Sequence, residues 1–332
     1  MRVTATAPGR VNLIGDHTDY TGGLVLPMAI DLRTVVTVER TGDVVHLTSS
    51  HETEPAVVAL GVEEPADVRP AWARYVAGVV AMLQPATGAV GTVSGDLPVG
   101  AGLSSSAALE VAVALALGFD GTPVELARLC QAAEQRASGV PCGIMDQLAI
   151  ASGVAGHALL IDCGTETVSS VPLPPEAAVS VVDTGPRALA SSAYAERRAQ
   201  CEAAEEVIGP LRDADEATVT AIADPLLRRR ARHVVTENAR VRAAAEALRV
   251  GDLATAGAAM VASHASLRDD FDVSTPALDE VVERVRTLPG VHGARLTGGG
   301  FGGSVVILAE RGAAVPGRRV MAAGAATVST SP

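Results

Sequence analysis

The residues of this chain best suited to chemistry follow an apolar run near the N-terminus. Gly15 breaks that run, and five consecutive polar residues come after it: Asp16, His17, Thr18, Asp19 and Tyr20. Carboxylate, imidazole and hydroxyl groups crowded at one junction would be costly in a core, because buried polar groups must find partners. They suit a polyhydroxylated ligand, whose O–H groups donate to such acceptors. This run therefore predicts a binding site for a sugar-like molecule.

A second candidate site is the glycine- and serine-rich stretch 97–106, which opens directly into a strongly apolar helix predicted over 107–117. Small residues let the backbone approach a phosphate closely, and the unpaired N–H groups at the start of the helix point towards the anion. The serine hydroxyls can add donors or a metal ligand. Taken alone, the stretch is also compatible with an ordinary helix N-cap.

Five glycines in six positions, from 298 to 303, form a third unusual segment. Glycine costs conformational entropy and packs no side chain, so this density makes no sense for strand stability. Apolar runs flank the segment, and we therefore expect a loop fixed at both ends. A flexible surface loop is the alternative.

Three further residues are ambiguous when taken singly. Asp146 is compatible with a helix N-cap, Glu134 with the solvated face of a helix, and Tyr194 with surface packing. The whole series of segments, however, resembles the galactokinases, in the superfamily that also holds homoserine, mevalonate and phosphomevalonate kinases. The resemblance covers nearly the whole chain, in the right order.

This resemblance implies the two-domain α+β fold of the GHMP kinases. An N-terminal α/β domain like that of ribosomal protein S5 is expected over 1–165, and a C-terminal ferredoxin-like α+β domain over 177–332. The active site would lie in the cleft between them. A proline-rich passage around 168–176 supports this boundary.

The resemblance also implies phosphorylation of the anomeric hydroxyl of galactose by ATP with Mg²⁺. Asp146 would accept the proton of that hydroxyl, and Arg10 would stabilise charge on the transferring phosphoryl group. Implied sugar-binding residues are Asp16, His17, Thr18, Asp19, Gly143 and Tyr194. Implied ATP-binding residues are Thr48, Trp72, Gly100, Ala101, Gly102, Leu103, Ser104, Ser105, Ser106, Gly299 and Gly300. Ser106 and Glu134 would hold the Mg²⁺ ion together with phosphate oxygens and waters.

One departure from the family pattern bears on the substrate. Asp16 stands where galactokinases usually carry Glu, and the shorter side chain puts the contact to the sugar's C6 hydroxyl in doubt. A kinase of arabinose, N-acetylgalactosamine or another galactose derivative is therefore an alternative. A silent relative that binds galactose and ATP as a regulator is another. Arg10, Asp146, Glu134 and Ser106 argue against it, since all four groups expected for catalysis are present.

The composition excludes several kinds of catalytic chemistry and disfavours some classes of partner. The chain has 332 residues, a net charge of −12 and no lysine among its 26 basic residues. The absence of lysine excludes a Walker-A loop, a pyridoxal Schiff base and a lysine general base. The negative charge disfavours nucleic acid and anionic membranes as partners. Four widely spaced cysteines and no signal-like or membrane-spanning run favour a soluble, cytoplasmic protein, which we expect to be monomeric.

Sequence patterning predicts the elements that must position these motifs. Strands are expected over 2–7, 24–28, 33–39, 44–49, 90–94, 153–162 and 178–183, and on both sides of a glycine loop within 293–308. Helices are expected over 72–83, 107–117, 124–139, 190–208, 216–249, 252–264 and 276–287.

Overall fold

The computed structural model describes residues 2–185 and 190–331, which form three sheets flanked by helices. The largest sheet has the order β13-β1-β3-β6-β4-β5. Its strands are β1 (Arg2–Asn12), β3 (Pro27–Arg40), β4 (Val44–Ser49), β5 (Ala56–Ala59), β6 (Ala89–Gly95) and β13 (Thr327–Ser331). A second sheet, in the order β10-β11-β9-β12, holds β9 (Ala177–Asp183), β10 (Val291–Thr297), β11 (Ser304–Glu310) and β12 (Arg318–Val320). The third comprises β2 (Leu24–Val25), β7 (His157–Asp162) and β8 (Thr167–Pro172).

The helices cover the sheets and carry much of the site. In chain order they are α1 (Ala73–Leu83), α2 (Ser105–Leu117), α3 (Pro123–Ser138), α4 (Met145–Ser152), α5 (Ala190–Ile208), α6 (Glu216–Val219), α7 (Pro225–Arg249), α8 (Leu253–Asp269) and α9 (Pro276–Val285). None of the helices in the described ranges is both long and apolar enough to cross a bilayer.

Strand β1 of the first sheet, which carries Arg10, is irregular. β1 pairs with β3, and the pairing shifts register between Pro8 and Arg10, a β-bulge that bends the strand and re-aims side chains. Beyond the bulge β1 continues to Asn12, further than the sequence predicted. β3 is one continuous strand where two were expected, because mostly buried residues run through the predicted gap.

One helix prediction was wrong, and one helix was missed. The single helix expected over 216–249 is divided into α6 and α7, since Pro225 cannot continue a helix and Asp224 instead caps a new one by accepting from Leu226 N–H. α4 was not predicted at all. It begins beside Asp146, which places that residue in the first helical turn.

The α+β architecture expected from the sequence is present, with N- and C-terminal regions contributing separate sheets. The expected boundary at 165–177 is crossed more than once, however. The proline-rich passage is largely strand β8 rather than a linker, and β13 returns to pair with β1 in the first sheet. The largest apolar core also takes residues from α7 and α8, such as Val241 and Met260.

Candidate active site

A single cavity of about 660 Å³ collects most of the predicted site residues. Three segments meet there: the polar loop (residues 15–24), the glycine–serine loop (97–106) and the third glycine loop (298–303). The predicted residues that line the cavity are Arg10, Asp16, His17, Asp19, Trp72, Gly100, Gly102, Ser104, Ser105, Ser106, Glu134, Gly143, Asp146, Tyr194, Gly299 and Gly300.

At the centre, Arg10 and Asp146 form a two-pronged ion pair. Arg10 Nε donates to one Asp146 oxygen at 2.7 Å and Nη2 to the other at 2.9 Å. The third prong of the guanidinium, Nη1, donates to the Gly102 carbonyl at 2.7 Å. The arginine is almost fully buried, whereas the Asp146 carboxylate is about a quarter exposed. One face of the carboxylate is thus fixed and the other is open to the cavity.

The glycine–serine loop is built around this pair. Ser104 has a left-handed backbone (φ 60°), and its hydroxyl donates to Asp146 and makes no cap bond to α2. The ordinary N-cap alternative is therefore not the role of Ser104. Two carbonyls of the loop accept hydrogen bonds from other segments. Leu103 O accepts from the Arg10 backbone N–H, and Ala101 O accepts from the Ser304 hydroxyl. Ser105 and Ser106, the first two residues of α2, line the cavity.

A second carboxylate lies beside the loop. Glu134, on α3, accepts from the Ser106 hydroxyl at 2.7 Å and from the Gln147 amide at 2.6 Å. Burial and the nearby Asp146 charge raise the pKa of Glu134 to about 7, although the two hydrogen bonds and Arg10 oppose the shift. No cluster of three or more His, Cys, Asp or Glu side chains suited to a metal occurs in the described ranges. The pair Ser106–Glu134 instead offers two hard oxygen donors of the kind that Mg²⁺ takes alongside phosphate oxygens.

A third carboxylate that lines the cavity, Asp19, lies in a short 3₁₀ turn of the polar loop. Its carboxylate packs against Gly143 so closely that any Cβ at position 143 would collide with it. Burial, with the charges of Asp146 and Asp16, raises the pKa of Asp19 to about 7. Backbone N–H groups of Tyr20 and of Asp19 itself oppose this shift only in part, and the hydroxyls of a sugar would supply further donors.

His17 connects the polar loop to the third glycine loop. Nε2 lies 3.2 Å from the Gly299 carbonyl and Nδ1 lies 3.0 Å from the Tyr20 hydroxyl. Burial and the neighbouring His233 lower the pKa of His17 to about 3, so the ring is neutral and Nε2 donates to the carbonyl. Tyr194, on α5, packs against the rings of His17 and Tyr20. His17 and Tyr194 thus form an aromatic wall of the cavity, and Tyr20 packs against both.

Asp16 makes contacts that the sequence did not predict. One oxygen accepts the Gly298 N–H at 2.9 Å, and the other lies 2.5 Å from Nη2 of Arg295, a fully buried residue of β10. Asp16 still borders the cavity, but one of its oxygens is held by Arg295 of β10 and the other by the third glycine loop. Sequence reasoning missed Arg295 because a lone arginine in an apolar strand carries no local signal of a partner.

Four predicted residues do not line the cavity. Thr18 is fully buried, and its hydroxyl bonds to Gly15 O and Leu24 O inside the polar loop. Thr48 is on the exposed face of β4, and its neighbour Ser49 lines the cavity instead. Ala101 and Leu103 support the glycine–serine loop from behind. Lining residues that the sequence analysis missed include Arg33, His51, Tyr75 and Gln147.

Three family models match the chain. Residues 2–40 match the galactokinase galactose-binding signature, residues 74–154 the N-terminal domain of GHMP kinases and residues 244–324 the C-terminal domain of GHMP kinases. The segment 225–243, most of α7, lies outside all three.

Whole-chain comparisons agree with the models. Galactokinase from Roseiflexus sp. (strain RS-1) is 47% identical over 93% of this chain and 84% of its own length. Galactokinase from Homo sapiens is 46% identical over 94% of this chain and 85% of its own length. The crystal structure of Lactococcus lactis galactokinase complexed with galactose is 31% identical, covers 98% of this chain and 95% of its own, and has a TM-score of 0.90.

Proposed function

This chain belongs to the galactokinase family of GHMP kinases, and from that premise we infer that it transfers a phosphoryl group from ATP to the anomeric hydroxyl of D-galactose. The observation that carries the assignment is the position of the Arg10–Asp146 pair. It lies where the polar loop, suited to sugar hydroxyls, meets the glycine–serine loop, suited to phosphates. A regulator without catalysis would not need a fixed carboxylate at that junction.

In the proposed reaction the anomeric oxygen attacks the γ-phosphorus of ATP. The new bond joins that oxygen to phosphorus, the bond between phosphorus and the β,γ-bridging oxygen breaks, and ADP leaves. The hydroxyl proton passes to the open face of Asp146. Arg10 is held by Asp146 and Gly102, and its fixed charge offsets charge on the phosphoryl group. Positioning supplies most of the rate, because the transition state of phosphoryl transfer is loose.

We propose Mg²⁺ as the metal, held by Ser106 and Glu134. Bound there, the ion would neutralise charge on the phosphates of ATP. Support comes from the Ser106–Glu134 contact at 2.7 Å and from its location at the start of α2, where the backbone N–H groups also favour phosphate. Gln147, by donating to the second Glu134 oxygen, orients the carboxylate for this role.

We further propose that the chain acts as a monomer in the cytoplasm. Every side chain assigned here to the reaction comes from one chain, so the site needs no second subunit. The four cysteines are all unpaired, as is usual for proteins of reducing compartments.

The assignment is tested by a panel of free sugars with ATP and Mg²⁺, with ADP release as the readout. Galactose should be phosphorylated at least ~100-fold more efficiently than glucose, because the 4-epimer withdraws one of the two vicinal hydroxyl donors from which the Asp19 carboxylate would accept. Comparable rates with glucose would contradict the assignment of Asp19 to the sugar.

A kinase of a related sugar is the second candidate, and the geometry of Asp16 favours keeping it. Since Arg295 and Gly298 already engage this carboxylate, its grip on the C6 hydroxyl should be loose. We expect some activity towards fucose or arabinose. Asp16→Glu should tighten galactose binding and leave the preference over glucose unchanged. A sugar phosphorylated faster than galactose would replace it as the substrate.

A further inference from the structure

The polar loop is held by α7, most of which lies outside the matched family segments. Three polar side chains of α7, at positions 233, 237 and 238, point at this loop from one face of the helix and are at least 96% buried. Glu237 Oε1 accepts the Gly15 N–H at 3.0 Å, and Asn238 Oδ1 accepts the Leu24 N–H at 2.8 Å. His233 Nε2 lies 3.1 Å from the Asp16 carbonyl.

We propose that Glu237 and Asn238 are positioning residues for the sugar, since they hold the two ends of the polar loop at a fixed separation. This inference rests on the proposed function, because it assigns the sugar to that loop. Gly15 and Leu24 bracket every loop residue that borders the cavity. Fixing both ends to one rigid helix therefore fixes where Asp19 and His17 meet the substrate.

The polar loop needs contacts outside itself, because two carboxylates within it disfavour its packed conformation. Asp16 and Asp19 place two carboxylates a few residues apart at a buried site, and burial of charge is costly. Within the loop, Thr18 bonds to Gly15 O, Leu24 O and, through its carbonyl, to Gly23 N–H. These bonds shape the loop. Asp16 and His17 attach its middle to β10 and the third glycine loop, and the two bonds from α7 attach its two ends.

The anchor itself is rigid. The Glu237 carboxylate is fully buried and also accepts from the Ser263 hydroxyl of α8 and from Arg240 Nε, the latter at 2.6 Å. A Cβ at Gly15 would contact Val241, one turn further along α7, and a Cβ at Gly23 would lie 2.7 Å from Asn238 Oδ1. The loop backbone and the helix are therefore in close contact at both ends, and glycine is what allows it.

The test compares Asn238→Leu with Asn238→Asp. Leucine keeps the size and removes the acceptor, whereas aspartate keeps an oxygen where the Leu24 N–H points. We expect Asn238→Leu to weaken galactose binding, measured by calorimetry without ATP, by roughly tenfold, the effect of about one lost buried hydrogen bond. ATP binding should change less than twofold, and Asn238→Asp should recover most of the galactose affinity.

Leu248→Ala is the matched control. Leu248 is also buried on α7 but lies ten residues beyond Asn238, about 15 Å further along the helix. Its truncation should lower the melting temperature and leave galactose and ATP affinities unchanged. Equal losses for galactose and ATP in Asn238→Leu, or no loss for either, would overturn the proposal.

If Asn238→Leu does not fold, Glu237→Gln against Glu237→Met gives the same comparison at the other end of the loop. Glutamine keeps the acceptor for Gly15, so only the methionine variant should lose affinity for the sugar. If the wild-type protein binds no galactose, the proposed substrate is wrong. The comparison is then made with the sugar that the wild type phosphorylates fastest, and a selective loss of that sugar would still support the anchor.

Discussion

The Arg10–Asp146 pair concentrates the chemistry of the site in two side chains. The carboxylate is held on one edge by the guanidinium and by Ser104, so only its open edge can meet a substrate proton. Because the same guanidinium reaches the glycine–serine loop, the pair couples the position of the proton acceptor to the position of the phosphates.

Replacement of Asp146 by Asn should lower kcat by roughly 10²- to 10⁴-fold, the usual range for loss of a general base. The amide keeps the shape and a bond to Arg10, so the fold and the melting temperature should be nearly unchanged. Asp162→Asn, which interrupts the Arg212–Asp162 pair outside the cavity, is the control and should retain full activity. More than about a tenth of wild-type turnover in Asp146→Asn would exclude the proton-accepting role.

The pKa of Asp19 makes galactose binding dependent on pH. Its folded-state pKa is raised to about 7, so the carboxyl is protonated below that pH and is then a poorer acceptor for sugar hydroxyls. Galactose affinity should rise up to about tenfold per pH unit towards pH 7 and level off above it. Affinity measured by calorimetry between pH 5.5 and 8.5 checks this.

The raised pKa of Asp19 has the opposite effect on the free energy of unfolding of the ligand-free protein. Folded Asp19 binds more protons than unfolded Asp19 between about pH 4 and 7, so its contribution to the free energy of unfolding falls as pH rises through that window. Asp146→Asn removes a neighbouring negative charge and should move the midpoint of galactose affinity to lower pH. A flat affinity profile in the wild type would show that Asp19 does not titrate at the sugar.

At the scale of elements, the connection between α3 and α4 decides how close two parts of the sugar site can come. Gly143 lies in this connection, against the Asp19 carboxylate. The absence of a side chain at 143 is thus a requirement of the polar loop rather than of the connection itself.

Gly143→Ala should raise the galactose KM by more than roughly tenfold, since the new methyl group displaces Asp19 and overpacking of this kind typically costs 1–3 kcal/mol. The ATP KM should stay within about twofold. Gly61→Ala, at a position with open space around it, controls for the substitution itself and should leave both KM values unchanged. Unchanged galactose kinetics in Gly143→Ala would mean that Asp19 is not held where the structure has it.

Elements also show where sequence reasoning succeeds. The polar loop, the glycine–serine loop and the third glycine loop were predictable because their signals are local and dense. Thr48 was misplaced because period-2 alternation leaves open which face of β4 meets the cavity. Asp16 was assigned to the sugar alone, because its partner Gly298 lies 282 positions away along the chain. Glu237, 222 positions from its partner Gly15, and Arg295 are hidden by similarly long separations in sequence.

At the scale of the whole molecule, the Asp16–Arg295 ion pair connects the first sheet to the second. Asp16 follows β1 of the first sheet and Arg295 belongs to β10 of the second. Both are buried, and Arg295 Nη1 also donates to the Leu13 carbonyl at 3.2 Å. Removing only one partner of such a buried ion pair lowers the stability strongly, because the other charge stays buried without compensation.

Asp16→Ala should lower the free energy of unfolding by about 3–5 kcal/mol, because it leaves a buried guanidinium without its counter-charge. Denaturant unfolding measures the change. Arg318→Ala removes an exposed pair with Asp96 and should cost less than about 1 kcal/mol. The double variant Asp16→Ala with Arg295→Met should recover much of the loss. A single-variant cost near that of Arg318→Ala would show that the buried pair does not join the sheets.

The return of β13 to the first sheet has a mechanical consequence. Arg2 pairs with Ser331, and the ladder runs inward from there to Thr6 and Thr327. Because the strands are antiparallel, a force applied between positions 2 and 331 would load one hydrogen-bond pair at a time and peel the strands apart. Force applied across β1 and β3 in shear would load many pairs at once. In a pulling experiment the enzyme should therefore release its exposed edge strand at low force, well before the sheet that carries Arg10 gives way.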